Sequence, residues 1–303
     1  MIAVSIHAAR YREGVTIREN VEFRSLDGTP LAAFLCTPES GHGPFPAIVL
    51  SHGFGAVKEM ALDRYADAFC AAGFVCLVYD HRNTGSSGGS PRGEIDPWQQ
   101  ISDMRDAITY VGGRREVDAD RIGLWGTSFS GGHSLVVAAT DQRVKCVVAV
   151  VPTISGHENT IRAMTTEGYA AFVQEVNEER TARQRGEAPR MIPISKEGDE
   201  SYEWSRIAGA GTTYVNACTM LSRAFRAAYE PGSYIAAISP TPLLLALTTH
   251  DTKCLTDLQL EAYSEANEPK RLEMFPGGHY APYTTQLAAI ASASCDWFGT
   301  HLK

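Results

Sequence analysis

The sequence predicts an α/β fold with a mostly parallel sheet of eight strands, helices on both faces and a helical cap insertion. Short runs rich in Val, Ile and Leu alternate with helical stretches, and these runs are apolar at nearly every position. Such runs are typical of strands that are covered on both faces, as in a parallel sheet between two layers of helices. The alternation breaks off at about residue 155 and resumes at residue 241, which indicates an insertion.

The first half of the chain supplies six of the strands. Residues 15–23 and 31–37 flank the turn sequence LDGTP and predict an antiparallel hairpin that opens the sheet. The helix at 97–111 follows from apolar residues at helical spacing. The other predicted elements are the buried strands 47–53, 74–80, 121–126 and 146–152 and the helices 60–73 and 129–140.

The middle of the chain is polar, rich in Glu and Arg, and too long for a structureless connection in a compact domain. It therefore predicts a helical cap. Beyond it, two further strands and two helices complete the fold. The predicted boundaries are 1–155 for the first part of the core, 156–230 for the cap and 231–303 for the second part, with strands at 241–251 and 270–275 and helices at 255–266 and 283–300.

Composition and charge exclude several classes of protein. The chain has 27 Lys and Arg against 35 Asp and Glu, a net charge of −8, and a pI near 5.6. We expect no binding to nucleic acid or to a membrane surface, because no basic footprint is present. No run of 18 apolar residues and no secretory signal in the first ten residues is visible, and the seven cysteines include no C-x-x-C pair. These features predict a cytoplasmic protein with reduced cysteines.

A candidate nucleophile lies where a buried strand gives way to a helix, in the segment GTSFSGG (126–132). A sharp strand-turn-helix elbow exposes such a residue and requires small neighbours, which makes Ser128 the nucleophile by position. The G-x-S-x-G pattern requires Gly at position 130, where this chain has Ser130. Serine is small enough to fit, so the departure weakens the motif without removing it.

An acid and a histidine follow in the chain order that the elbow requires. Asp251 follows the strand LLLALTTH, and His279 lies on a glycine-rich loop after the last strand. A serine hydroxyl is a weak nucleophile until a base removes its proton, a role for His279, with Asp251 fixing the imidazole tautomer. Each residue also has a structural interpretation, as a helix N-terminal acid or a loop histidine. Asp257 is the rival acid, and Asp80 is a further carboxylate at the same sheet edge.

Attack on a carbonyl creates an oxyanion, which needs donors that are already in position. The backbone N–H of Phe129, directly after the nucleophile, is one candidate. The N–H of Phe54 is the second, because it lies in the turn SHGFG after the strand 47–53.

These motifs resemble the α/β-hydrolase superfamily along essentially the whole chain. In order and spacing they match its oxyanion loop, the loop after the next strand, the elbow, the acid loop and the histidine loop; the matching segments are SHGFG, YDHRNTGSSGG, GTSFSGGH, TTHDT and PGGHY. EIDPWQQISDMRDAI and GTSFSGGH are similar to the dienelactone-hydrolase-like and Xaa-Pro-dipeptidyl-peptidase-like branch. That branch includes polyketide transferases and thiohydrolases of secondary metabolism. Dienelactone hydrolases proper use cysteine where this chain has Ser128, so their substrate is not carried over.

The resemblance implies an α/β-hydrolase fold and a serine hydrolase that cleaves a carboxylic ester or thioester of a small hydrophobic acyl substrate. An acyltransferase, or an enzyme that makes or breaks carbon–carbon bonds in polyketides, would use the same three residues, and a non-catalytic binding module is a third alternative. We expect no cofactor and no metal, because no cluster has zinc-ligand spacing and no glycine-rich loop fits phosphate.

The cap is expected to roof the substrate pocket. Its aromatic residues either line an apolar acyl site or pack the interior of the cap, and the candidates for the pocket are His157, Tyr169, Phe172, Trp204 and Tyr214. The expected partner is a small acyl substrate, free or attached to a carrier as a thioester. A homodimer is compatible with the sequence, which does not fix the oligomeric state.

Overall fold

The computed structural model describes residues 16–302 of the chain. Three predictions concern residues outside this range. They are the absence of a secretory signal in the first ten residues, the first residue of the hairpin and the outer ends of the domains. Ten strands are present between residues 16 and 302. They are β1 (Thr16–Arg24), β2 (Pro30–Pro38), β3 (Phe45–Ser51), β4 (Val75–Tyr79), β5 (Val117–Thr127), β6 (Val144–Val150), β7 (Met191–Ile192), β8 (Cys218–Thr219), β9 (Leu243–Thr248) and β10 (Lys270–Phe275).

Eight of these strands form one sheet in the order β1-β2-β4-β3-β5-β6-β9-β10. The β1–β2 and β2–β4 pairs are antiparallel, and every later pair of neighbours is parallel. All residues of β4 and β9 are buried, as expected for strands covered on both faces. The structure confirms the predicted mostly parallel sheet of eight strands.

Helices cover both faces of this sheet. Met104, Leu135 and Leu258 belong to the buried cluster on one face, and Phe69 and Phe298 belong to the cluster on the other. The helices are α1 (Leu62–Ala71), α2 (Pro97–Gly112), α3 (Phe129–Thr140), α4 (Gly156–Ile161), α5 (Thr166–Gln184), α6 (Glu200–Ala208), α7 (Met220–Ala227), α8 (Thr256–Glu265) and α9 (Leu287–His301), with 3₁₀ turns at Pro231–Ala237 and Ala281–Tyr283.

The segment 156–230 contains α4, α5, α6 and α7, and also the short antiparallel pair of β7 with β8. The sequence indicated helices alone here, because two-residue strands are too short to show an alternating pattern. Among the helices between residues 16 and 302, none combines the length and the apolar character that a membrane span requires. All seven cysteines are free thiols.

Candidate active site

A single residue forms the turn between β5 and α3. Ser128 follows Thr127, the last residue of the strand, and precedes Phe129, the first residue of the helix. Its backbone has φ 55° and ψ −118°, and a positive φ is uncommon for a residue other than glycine. The Ser128 N–H donates to the carbonyl of Val150 at 2.9 Å, which fixes the turn at the carboxyl edge of the sheet. Backbone strain of this kind is concentrated at functional sites.

The residues around this turn are small because the backbone is crowded. A Cβ at Gly126 would lie 2.2 Å from the Ser130 carbonyl oxygen. The Ser130 hydroxyl donates to the His52 carbonyl and accepts from His81 Nε2, the latter at 2.8 Å. Serine in place of the glycine of the motif therefore ties the elbow helix to the loop that follows β3. The sequence suggested only that serine would fit at this position.

The three residues that the chain order singled out meet at one point. Asp251 follows the end of β9, His279 follows the end of β10, and both are buried. His279 Nε2 lies 2.9 Å from Ser128 Oγ, and His279 Nδ1 lies 2.8 Å from Asp251 Oδ2. The side chains thus form a continuous hydrogen-bonded chain from carboxylate to imidazole to hydroxyl.

The protein holds Asp251 in its ionised form. Its Oδ1 accepts from the N–H groups of Lys253 and Cys254 at 2.8 and 2.9 Å. Burial opposes ionisation, but the His279 ring and these two N–H groups outweigh it and lower the pKa of Asp251. An ionised Asp251 accepts the Nδ1 hydrogen of His279, which leaves Nε2 as the acceptor for the Ser128 hydroxyl.

The alternative carboxylates are engaged elsewhere. Asp257 is exposed and pairs with Arg162 on the protein surface. Asp80 is buried and accepts from the backbone N–H and the Nζ of Lys58, both at 2.7 Å, and from the N–H of Ser86 at 2.9 Å. Asp80 therefore joins the loops that follow β3 and β4, and Asp257 forms an ion pair on the surface.

The loop after β3 approaches Ser128 closely. A Cβ at Gly53 would lie 2.9 Å from Ser128 Cβ, so this position requires glycine. The next residue, Phe54, lines the cavity at Ser128 together with Phe129, and the two rings meet edge to face at 5.3 Å. Among residues 16–302, no group accepts a hydrogen bond from the N–H of Phe54 or from that of Phe129. Two backbone donors beside Ser128 are thus available to a ligand.

The histidine in this loop is occupied by the backbone. His52 Nε2 donates to the Met60 carbonyl at 2.7 Å, and Nδ1 accepts from the Gly53 N–H at 2.8 Å. Burial lowers the pKa of His52 to about 4, so the ring is neutral at physiological pH. His52 shapes the loop, and both of its ring nitrogens are engaged in doing so.

A cavity of about 290 Å³ opens above Ser128. Trp204 lies on one wall, with its ring centroid 5.1 Å from that of Tyr280 and 4.7 Å from that of Tyr283. Both tyrosines come from the loop that carries His279. The cap and the histidine loop therefore build an aromatic wall together.

The sequence-predicted binding residues are divided between two sites. Trp204 lines the cavity at Ser128, whereas His157, Tyr169 and Phe172 line a different cavity of about 730 Å³. The helix α5 packs against α7, so its aromatic side chains face α7 and α8 and not the triad residues. Tyr214 joins neither group and packs onto the loop after β3, against Ala56, Val57 and Met60.

Sequence reasoning missed several polar residues of the Ser128 cavity, for which no motif gave a signal. They are Asn159, Asp199, Arg226 and Lys253. Cys254 also lines this cavity, and its Sγ lies 3.8 Å from Ser128 Oγ. Burial, followed by the charge of Asp251, raises the pKa of the Cys254 thiol to about 12, so the thiol is protonated at neutral pH.

Three potential metal-ligand atoms, from Asp251, Cys254 and His279, lie within 4.8 Å of one another. Their spacing along the chain did not suggest such a cluster. Both ring nitrogens of His279 are engaged, one with Asp251 and one with Ser128. These hydrogen bonds already use the His279 and Asp251 donor atoms, so the arrangement matches a hydrogen-bonded triad.

The chain is similar to known proteins over most of its length. The family model described as X-Pro dipeptidyl-peptidase (S15 family) matches residues 27–281. A thiohydrolase of Aspergillus aculeatus (aneE) is 33% identical over 272 residues, covering 84% of each chain. A polyketide transferase of Penicillium sp. (grgF) is 30% identical, covering 94% of this chain and 97% of the relative.

The chain is also similar to solved structures over most of its length. The α/β hydrolase GrgF from Penicillium sp. superposes with a TM-score of 0.83 at 29% identity, covering 94% of this chain and 99% of that one. A hypothetical protein of Pseudomonas aeruginosa superposes with a TM-score of 0.84 at 28% identity, covering 95% of both chains. Both likenesses extend over nearly the whole of this chain.

Proposed function

The chain belongs to the X-Pro dipeptidyl-peptidase (S15) family of α/β-hydrolases, and we propose that it cleaves the carboxylic ester or thioester of a small acyl substrate through an acyl-enzyme on Ser128. One observation carries this proposal. The hydroxyl of Ser128 lies 2.9 Å from His279 Nε2, and the other ring nitrogen lies 2.8 Å from Asp251. A base oriented by a third group is the arrangement that activates a serine nucleophile.

The first half-reaction forms the acyl-enzyme. Ser128 Oγ attacks the carbonyl carbon as its proton moves to Nε2 of His279, and the ionised Asp251 stabilises the imidazolium. Collapse of the tetrahedral intermediate breaks the bond to the alcohol or thiol. The leaving group takes the Nε2 proton, so the histidine returns to its neutral form.

The N–H groups of Phe54 and Phe129 are the proposed donors to the oxyanion. Both lie beside Ser128 and are free of protein acceptors among the described residues. Loss of one such donor costs about 10²- to 10³-fold in rate. Because the donors are backbone groups, the loop geometry set by Gly53 and Ser130 matters more than the side chains at 54 and 129.

The second half-reaction decides between hydrolysis and transfer. Water activated by His279 releases the free acid, whereas another nucleophile in the same place yields a transferred acyl group. The names of the relatives favour both outcomes, because they include thiohydrolases as well as an acyltransferase and polyketide transferases. We therefore propose thioester hydrolysis as the main activity and acyl transfer, including carbon–carbon bond formation, as the second candidate.

The aromatic wall supports a hydrophobic acyl chain. Trp204, Tyr280 and Tyr283 line the cavity together with two further aromatic residues, Phe54 and Phe129. A carrier-bound thioester, a homodimer and a cytoplasmic location stay predictions of the sequence.

Turnover of acyl thioesters and p-nitrophenyl esters by the wild type and by Ser128→Ala tests the proposal. We expect Ser128→Ala to lose at least about 10⁴-fold in kcat while its unfolding midpoint matches that of the wild type. Adding an alcohol, a thiol or a carbon nucleophile separates the two candidates, since transfer gives an acceptor-linked product in place of free acid. Equal turnover by both proteins would contradict the proposal.

A further inference from the structure

Arg226, on α7, lines the cavity at Ser128 without a partner of opposite charge. Its guanidinium lies over the Phe54 ring, 5.3 Å from the centroid. Among the described residues, no carboxylate lies within 4.0 Å of it and no group accepts a hydrogen bond from it. Arg82 and Arg183, by contrast, pair with Asp103 and Glu94. Arg226 is thus a cation that the fold places in the cavity and leaves unneutralised.

Arg226 is partly withdrawn from water, and a cation in that position loses part of its solvation free energy. Burial, followed by the charge of Arg223, lowers the pKa of Arg226, yet an arginine guanidinium stays protonated at neutral pH. A ligand that supplies the missing negative charge removes this cost. The planar fork of donors suits a carboxylate, which it binds through two parallel hydrogen bonds.

A second unsatisfied group lines the same cavity. Asn159, on α4, has a buried Oδ1 without a hydrogen-bond partner in the described part of the chain. The helices α4 and α7 pack against each other, which brings Asn159 and Arg226 to one side of the cavity. A carboxamide offers two donors and one acceptor, and rotation about its last torsion presents the NH₂ to an anion.

The cationic group lies near the reacting atoms. The charge of Arg226 acts on Cys254, whose Sγ is 3.8 Å from Ser128 Oγ. Arg226 also lies over the ring of Phe54, whose N–H is a proposed oxyanion donor. An anion held there would share the cavity with the scissile carbonyl of a substrate bound at Ser128.

We propose that Arg226 and Asn159 bind a carboxylate at the far end of a short acyl chain, so that the substrate is a monoester or monothioester of a dicarboxylic acid. This inference rests on the proposed function and specifies its substrate class. The methylene part of such an acyl chain lies against the aromatic wall, and the terminal carboxylate lies at Arg226. The expected acyl group is therefore hydrophobic along its length and anionic at its end.

Two thioesters of equal chain length test the proposal. Glutaryl and pentanoyl N-acetylcysteamine thioesters differ only in the terminal carboxylate, and their spontaneous cleavage is subtracted. We expect the wild type to favour the glutaryl thioester in kcat/KM, and Arg226→Gln to reduce the glutaryl-to-pentanoyl ratio by about 10- to 100-fold. Arg226→Lys restores part of this ratio, because it keeps the charge but loses the fork.

Two further variants make the test specific. Arg223→Gln is the matched control, since Arg223 lies one turn earlier on α7 and donates to the Pro193 carbonyl on the exterior; its ratio equals that of the wild type. Asn159→Asp adds a negative charge in place of the amide and lowers the ratio further. An unchanged ratio in Arg226→Gln, or an equal loss on both thioesters, would overturn the proposal.

Binding measured without turnover separates this proposal from the proposed function. Calorimetry of glutarate with Ser128→Ala protein is expected to give binding that Arg226→Gln removes in the same background. Such binding in a protein whose wild type cleaves neither thioester would sustain the carboxylate site and refute the proposed hydrolysis. Turnover of both thioesters without Arg226-dependent glutarate binding would refute the carboxylate site alone.

Discussion

The helix that follows Ser128 and the longest helix of the cap are built in opposite ways. In α3, residues 129–138 are all buried, and the helix lies between β5 and β6 on one side and α2 on the other. In α5, Glu179 is the only buried residue among 166–184. The carboxylate of Glu179 accepts from Arg183, which in turn pairs with Glu94 of the core. The helix after Ser128 is thus held by packing along most of its length, whereas the largely exposed α5 is linked to the core through the ion pairs of Glu179, Arg183 and Glu94.

Some polar groups at the site also differ in their partners. On the core side, His52, Ser130 and Asp251 each have a protein partner. On the cap side, Asn159 and Arg226 lack one among the described residues. Unsatisfied groups are expected where a ligand completes the contacts, so the core side fits chemistry and the cap side fits recognition.

The largest expected loss of activity comes from neutralising Asp251, the acid on the core side of the site. Asp251→Asn removes the charge that orients His279, and we expect kcat to fall by about 10⁴-fold. Asp257→Asn is the matched control, because that carboxylate is exposed and pairs with Arg162; its kcat stays within about twofold of the wild type. Thioester turnover measures both. A larger loss at Asp257 than at Asp251 would reverse the assignment of the acid.

A smaller loss of activity is expected from a substitution where the loop after β3 touches the turn at Ser128. In Gly53→Ala the new Cβ would lie 2.9 Å from Ser128 Cβ, so the loop that carries Phe54 must move away. We expect kcat to fall by about 10²- to 10³-fold, as for loss of one oxyanion donor. Steady-state kinetics, with circular dichroism to verify the fold, measures this. Wild-type kcat in the variant would show that the Phe54 N–H is not a donor.

On the cap side, two aromatic residues line different cavities, and substituting each one tests which cavity binds the acyl chain. Trp204→Ala removes part of the wall at Ser128, and we expect kcat/KM for a hexanoyl ester to fall by about tenfold, with a smaller change for acetyl ester. Phe172→Ala changes the separate cavity under α5 and leaves both values near those of the wild type. If Phe172→Ala had the larger effect, the substrate would extend into that second cavity.

The smallest effect is expected for the thiol beside the nucleophile. The pKa of Cys254 is raised to about 12, so a negligible share of the thiol is ionised at pH 8. Iodoacetamide at pH 8 should therefore leave Cys254 unmodified and the activity within about twofold, with reactivity rising only as the pH approaches the pKa. Peptide mass mapping checks this. Rapid alkylation at pH 8 would indicate a thiolate next to Ser128.

The buried strands and helices could be predicted from the sequence, because burial leaves a recognisable pattern of apolar residues. The apolar run 146–152 corresponds to Val144–Val150, and the predicted helix 129–140 corresponds to Phe129–Thr140. The approach of Ser128, Asp251 and His279 was anticipated because the carboxyl ends of parallel strands share one edge of the sheet. The fold prediction and the resemblance to α/β-hydrolases are confirmed.

The cap left no comparable pattern. Tyr169 and Phe172 have the composition of pocket residues, but which cavity they line depends on how α5 packs against α7. The hydrogen bond from Ser130 to the His52 carbonyl joins residues 78 positions apart. The unpaired state of Arg226 is likewise defined only by the fold, since the sequence shows nearby acids without showing where they point.

The most direct test of the account is peptide mapping after reaction with a fluorophosphonate. We expect one stoichiometric phosphonyl adduct on Ser128 in the wild type and none in Ser128→Ala. His279→Ala should react far more slowly, because Ser128 Oγ then lacks its base at 2.9 Å. An adduct on another residue, or no adduct on a folded wild-type protein, would contradict the claim that Ser128 is the nucleophile.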